Sequence, residues 1–266
     1  MDFSNIKLIA SDMDGTLLNS QHQLSDTFYP VYLALKEKGI LFAAASGRQY
    51  HNLLNLFQPI KDEIIFMAEN GSYVMYKGQE ILVQALEPEQ VPALLQKAKS
   101  VPDTHIVLCG KKTAYVDSSH PAFLEQVELY YDEVQVVEDL LQVTDDQFLK
   151  IAICDLAGAE ENSNTYFQEE REYLQVTVSG KIWLDLCHRL ANKGHAMEII
   201  QKQFGVTGEE SMAFGDFLND RQLLQKVHYS FAMANAHPEI KEVARFQTQS
   251  NDENGVLAIL QQVVTA

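Results

Sequence analysis

The chain alternates short apolar runs with stretches whose apolar residues recur at helical spacing, and these two periods set out most of its architecture. Residues 6–10 read as a buried strand, and Leu24-Ser25-Asp26 offers an N-cap for a helix over about 27–38 that Gly39 can end. A second apolar run covers 40–45. The turn Ser46-Gly47-Arg48, a helical stretch through Phe57 and a third strand-like run over 64–68 follow. Strand, helix, strand, helix, strand with short connections predicts a parallel sheet covered on both faces.

The pattern changes after Asn70-Gly71. Residues 72–76, the Lys77-Gly78 turn and residues 80–84 predict a hairpin, after which the chain leaves the first sheet near residue 83. A second α/β unit then spans 83–187, with helices over 88–99, 121–130 and 159–174. Its predicted strands are 105–109, 113–116, 133–137, 149–154, 176–179 and 182–187, antiparallel where Gly110 and Gly180 leave room only for tight turns. From Gly194 the strand-and-helix alternation returns: a helix to Phe204, strand 211–214, helix 220–227, strand 229–233, helix 238–244, a short strand at 246–248 and a last helix from Gly255. The fold class predicted is therefore α/β, a doubly wound, mostly parallel, Rossmann-like core of residues 1–82 and 188–266 with 83–187 as an inserted α/β domain.

Composition narrows the function. An apolar fraction of 46% over 266 residues supports a large core. No run of eighteen apolar residues predicts a membrane span, and the N-terminus lacks the basic and apolar regions of a signal peptide, so a cytoplasmic protein is expected. Cys109, Cys154 and Cys187 are odd in number and widely spaced, which predicts buried thiols and neither a disulfide framework nor a zinc site. The net charge of −17 is uneven: residues 83–187 carry 7 Lys and Arg against 19 Asp and Glu, a net −12. An acidic surface without a basic stripe makes nucleic acid a poor partner.

Four polar sets fall at predicted strand ends, where ligands bind in an open parallel sheet. They are Asp12/Asp14, Ser46-Gly47, Asn192-Lys193-Gly194 and Gly215-Asp216 with Asn219-Asp220. Together they suit phosphoryl transfer. Mg²⁺ takes oxygen ligands and keeps several waters, so Asp12, the Asp14 carbonyl and Asp216 could hold it, with Asp220 behind them. The Ser46 hydroxyl and a Gly47 N–H could bind phosphate oxygens, Lys193 could neutralise charge on them, and Asn219 could touch the phosphate or hold its loop. Asp12 would attack phosphorus, and Asp14 would protonate the leaving alkoxide and then deprotonate water.

These residues resemble the haloacid dehalogenase superfamily, specifically its Cof-type sugar-phosphatase branch with a large C2-type α/β cap. The resemblance rests on DMDGTLL (12–18), SGR (46–48), NKG (192–194), GDFLND (215–220), FAMANA (231–236) and TQSNDENGV (248–256), which cover most of the core. It implies Asp12 as nucleophile and Asp14 as acid and base, both with Lys193 in the catalytic set. It further implies Met13 (backbone), Ser46, Gly47, Lys193 and Asn219 on phosphate, Asp12, Asp14 and Asp216 on Mg²⁺, and Thr16 and Asp220 supporting those ligands. The run 185–191 lacks the Pro often seen before the Lys of the third motif, and Glu69 is given no catalytic role.

Trp183 reads as a packing residue in an alternating strand, His188 and Arg189 as linker residues, and the run 169–172 as the wet face of a helix. His51, His195 and His237 have no ligand-spaced partner for zinc. The expected function is Mg²⁺-dependent hydrolysis of small phosphate monoesters, such as sugar phosphates. The alternatives are a phosphomutase using the same aspartyl-phosphate chemistry and a non-enzymatic phospho-accepting signalling module, which the chain length disfavours. A dinucleotide-binding domain would need a GxGxxG that follows no strand here.

Overall fold

A computed structural model describes residues 2–266. The first half of the core runs β1 (Leu8–Asp12), α1 (Phe28–Glu37), β2 (Leu41–Ala45), α2 (Tyr50–Leu56), β3 (Ile65–Ala68) and the hairpin β4 (Tyr73–Tyr76) and β5 (Gln79–Val83). The second domain holds α3 (Val91–Lys99), β6 (Thr104–Gly110), β7 (Ala114–Val116), α4 (Pro121–Tyr130), β8 (Val134–Val136), β9 (Phe148–Asp155), α5 (Ser163–Tyr166), β10 (Leu174–Gly180) and β11 (Trp183–His188). The chain then completes the core with α6 (Lys193–Phe204), β12 (Ser211–Gly215), α7 (Arg221–Gln225), β13 (Tyr229–Ala232), α8 (Pro238–Val243), β14 (Phe246–Gln247) and α9 (Gly255–Thr265).

Among the described residues the core sheet is ordered β14-β13-β12-β1-β2-β3-β4-β5, parallel from β14 to β3 and antiparallel only in the edge hairpin. All five β1 residues are buried, as expected of a central strand covered on both faces. Because β2 follows on one side of β1 and β12 on the other, the connections diverge at β1. The C-terminal ends of β1, β2 and β12 thus open one crevice.

The second sheet is ordered β10-β11-β9-β6-β7-β8 and has its own apolar clusters on its two faces, around Leu108, Ile151 and Leu184 on one and Val107, Phe123 and Trp183 on the other. Antiparallel pairing follows the turns at Gly110 and Gly180, and all three cysteines are buried and free.

Two helices depart from the sequence pattern. The one expected from Pro88 starts at Val91, because Pro92 has no N–H for a bond to residue 88 and fits only the first turn. The one expected over 159–174 shrinks to Ser163–Tyr166 followed by a tight turn, Glu169–Glu172. Asp155 captures the Ser163 N–H (2.8 Å) and the Ala157 N–H (3.1 Å), holding the preceding residues in a loop. The run 160–165 is also polar on every side, with little apolar surface to anchor a longer helix.

Gly194 follows the first residue of α6, where a Cβ would lie 2.6 Å from both the Cβ and the carbonyl oxygen of Gln222 on α7. Backbone blocks one side of that contact, so α6 and α7 must separate to admit a methyl group. Gly194→Ala should lower stability by about 1–3 kcal/mol, read as a drop in chemical-denaturation midpoint, and an unchanged midpoint would show that the helices have slack.

Candidate active site

The loop after β1 makes one wide turn over Met13–Leu17, closed by the Leu18 N–H donating to the Met13 carbonyl (2.9 Å). Gly15 stands at φ +75°, and a Cβ there would fall 2.3 Å from Asp216 Oδ2, so only glycine fits between the two acidic loops. Thr16 donates its hydroxyl to Asp216 Oδ1 at 2.9 Å. Residues 200 positions apart in sequence are thereby fixed at one place.

Lys193, at the first position of α6, is fully buried. Its Nζ donates to Asp12 Oδ1 (2.5 Å) and to Asp220 Oδ1 (2.6 Å), while Asp220 Oδ2 accepts the N–H groups of Asp216 (2.9 Å) and Phe217 (3.2 Å). Both Asp220 oxygens are thus engaged. Among the described residues the donors to Asp12 and Asp216 side chains reach Oδ1 and none reaches Oδ2, and carboxylate oxygens of Asp12, Asp216 and Asp220 lie within 4.8 Å of one another. Three carboxylates face one ammonium.

The electrostatics follow from that imbalance. Burial, and then the charge of Asp220, raise Asp12 to about 7 against the pull of Lys193. Burial with Asp12 and Asp220 drives Asp216 well above the usual carboxylate range. Burial alone would lower Lys193, but the charges of Asp12 and Asp220 outweigh it and hold the ammonium above its ordinary value. A divalent cation would relieve the repulsion, and hard oxygens on Asp12 and Asp216 fit one, Asp12 Oδ1 having a lone pair beyond its bond to Lys193.

Asp14 points elsewhere. Its carboxylate takes a forked pair of bonds from Arg48, Nε to Oδ2 (2.7 Å) and Nη2 to Oδ1 (2.6 Å), and a contact from His22 Nδ1 (2.8 Å). Burial works against ionisation here, but these hydrogen bonds prevail and push Asp14 down to about 2. Its carboxylate is therefore taken up by Arg48 and His22 and is not part of the Asp12/Asp216/Asp220 cluster, against the expectation that it would ligate a cation.

Asp12, Asp14, Ser46, Gly47, Asp216 and Asn219 line one cavity of about 230 Å³. Met13, Thr16, Lys193 and Asp220 stand behind its wall. The opposite wall belongs to the second domain, with Tyr130, Lys150, Trp183 and Asp185 among its residues. Sequence reasoning assigned no role to Arg48, His22, Lys150 or Asp185. A charged residue inside an apolar strand, such as Lys150 in FLKIAICD or Asp185 in WLDLC, was the available signal, since such a charge needs a buried partner. Trp183 packs against Tyr130 and Tyr131, as the alternation predicted, and also forms part of the cavity wall.

A doubly wound sheet with an inserted α/β domain, and an acidic cluster at the fork of its strands, is the architecture of a phosphoryl-transfer hydrolase. The chain belongs to the haloacid dehalogenase-like hydrolases, whose family profile matches residues 9–260. It is 31% identical to the 5-amino-6-(5-phospho-D-ribitylamino)uracil phosphatase of Escherichia coli, over 98% of this chain and 97% of that one. It is 28% identical to an HMP-PP phosphatase of Klebsiella pneumoniae, over 88% of this chain and 86% of the relative. The crystal structure of SMU.1108c from Streptococcus mutans superposes with a TM-score of 0.91 at 28% identity, covering 98% of this chain and all of that one. The chain is a phosphatase of this family.

Asp12 carries a pH signature. Folded, it keeps its proton up to about pH 7, whereas an unfolded Asp releases it near about 3.9. The folded state therefore binds the extra proton between those values, and this contribution to stability is lost as pH rises from about 4 to about 7. Thermal melts in a chelator should show Tm falling across that window, and Asp12→Asn, with no proton to release at that position, should make the fall shallower, Asp216 leaving a residual slope. Equal slopes in the two proteins would contradict the assignment.

Proposed function

We propose that this phosphatase hydrolyses small phosphate monoesters through an aspartyl phosphate on Asp12, with Mg²⁺ as cofactor. The observation that carries the reading is the asymmetric setting of Asp12: Lys193 fixes Oδ1, and among the described residues Oδ2 is left without a donor in a residue that lines the cavity. Asp12, the Asp14 carbonyl and Asp216 would hold Mg²⁺, which supplies positive charge against the phosphoryl oxygens. Asp220 fixes Lys193 and the Asp216 loop.

In the first step Asp12 Oδ2 bonds to phosphorus, the bond from phosphorus to the ester oxygen breaks, and Asp14 gives its proton to the departing alkoxide. In the second, water attacks phosphorus, Asp14 takes the water's proton, and phosphate leaves with Asp12 regenerated. Ser46, Gly47 and Asn219 hold the phosphoryl oxygens, while the Met13 backbone and Lys193, behind the cavity wall, support them, Lys193 through its bond to Asp12. A carboxyl near 2 cannot donate a proton at neutral pH, so Asp14 must shed the Arg48 fork first. An incoming phosphate dianion competes for that guanidinium and, sitting beside Asp14, raises its proton affinity.

Residues 83–187 act as a cap over a core of 1–82 and 188–266, and the cap wall of the cavity selects the leaving group. The named substrates of the relatives make sugar-like and heterocyclic phosphorylated metabolites of the cytoplasm the first compounds to assay. Orthophosphate release from such a panel separates hydrolysis from a phosphomutase, which would return the group to a sugar.

Asp12→Asn should reduce turnover by on the order of 10⁴-fold or more while circular dichroism stays native. Near-normal turnover would remove Asp12 as nucleophile. Asp216→Ala should raise the Mg²⁺ concentration for half-maximal activity by about tenfold to a hundredfold, whereas an unchanged titration would take Asp216 out of the site.

A further inference from the structure

The far wall of the cavity carries polar groups that the hydrolytic steps leave unused. Asp185 lies mid-strand on β11 and is 1% exposed. Its Oδ2 accepts from Asn70 Nδ2 and sits 3.5 Å from Lys150 Nζ. Its Oδ1 takes no donor from the described residues, and it is absent from the few side-chain atoms sealed from solvent without a partner; it therefore opens on the cavity that Asp185 lines. Trp183 Nε1 in the same wall is sealed from solvent, without an acceptor among the described residues, and so is closed to a ligand. The carboxylate oxygen of Asp185 that opens on the cavity is the group left for a polar ligand.

The charges around Asp185 decide which kind. Lys150 is 2% exposed and forms an ion pair with Glu69 at 2.9 Å, in addition to its contact with Asp185. It also donates to the Gly47 carbonyl at 2.7 Å, which ties this wall to the phosphate-binding loop. At Asp185 itself two carboxylates share one ammonium, so its open oxygen favours a donor, with Lys181 the other cation of the second domain on this cavity.

We propose that Asp185 is a specificity-determining residue whose Oδ1 accepts a hydrogen bond from a hydroxyl or amine N–H on the leaving group, selecting phosphate esters of neutral, donor-bearing alcohols such as polyols and sugars. Lys150 is the positioning residue that holds it. The proposal rests on the phosphatase reading above and deepens it by naming the residue that reads the leaving group.

The test compares kcat/KM of wild type and Asp185→Asn on ribose 5-phosphate and on phenyl phosphate, whose phenyl group carries no hydrogen-bond donor. The amide that replaces the carboxylate removes the charged acceptor while Lys150 keeps Glu69 and the Gly47 carbonyl. The ratio of kcat/KM for ribose 5-phosphate over phenyl phosphate should fall about tenfold to a hundredfold, the range of one hydrogen bond to a charged group. An unchanged ratio overturns the proposal, because a merely structural role would lower both esters alike. Should the variant not fold, deoxy analogues of ribose 5-phosphate are assayed on wild type. Loss of one hydroxyl should then cost about tenfold or more, and equal rates along the series overturn the proposal. Failure of wild type to release phosphate from any ester would contradict the phosphatase reading instead, so the two failures are distinguishable.

Discussion

One buried ammonium organises this molecule. Lys193 lies at the N-terminal end of α6, fully enclosed, and binds carboxylates from the loops after β1 and near the start of α7. Removing one partner from a buried ion pair typically costs about 3–5 kcal/mol, because the other charge is left stranded. The loops are therefore locked together before any ligand arrives. Gly15 and Gly194 are the steric counterpart of that lock: each lets backbone approach where any side chain would collide, one against Asp216 and the other against Gln222. The excess of carboxylates over ammonium at the same point leaves the centre short of positive charge, and this deficit is what a divalent cation answers.

A second polar cluster ties the cap to the core. Glu69, Asn70 and Gly71 all have positive φ, at 50°, 55° and 88°, a left-handed run that only glycine adopts without strain. The contorted turn delivers Glu69 to Lys150 and Asn70 to Asp185, and Asn70 Oδ1 also accepts from Asn219 at 2.9 Å. Nearby, Arg48 donates to the Leu129 carbonyl (3.0 Å), and Gln49 bonds the backbone of residues 132 and 133. The loop after β2 thus lines the cavity on one side and bonds the cap on the other. Arg48 is held at once by Asp14 and by a cap carbonyl, so displacement by substrate would change both the proton affinity of Asp14 and the fit of the cap.

The core and its motifs were legible because each strand is a continuous apolar run and three of the four polar sets stand at the end of one, the set at 192–194 opening α6 instead. Asp12, Ser46 and Asp216 sit where strand ends predict them, and sheet order alone then brings them together. Less was legible in the cap. The polar stretch after Gly158 has helical spacing but little apolar surface, and a single carboxylate, Asp155, redirects its backbone. The partners of Lys150 and Asp185 lie far away in sequence, Gly47 and Asn70 being 103 and 115 positions distant, so no local spacing announces them. Arg48 was visible as part of a turn, but its grip on Asp14 depends on how two loops face each other across the crevice.

Acid-quenching the enzyme during turnover of a reactive ester, followed by peptide mass spectrometry, tests the central claim most directly. A phosphoryl group on the peptide containing Asp12, lost again as turnover ends and accumulating when Asp14 is replaced by Asn, is the predicted result. Phosphate release with no modified Asp12 peptide at any quench time, in wild type or in that variant, would show that water attacks the ester itself and would contradict the account.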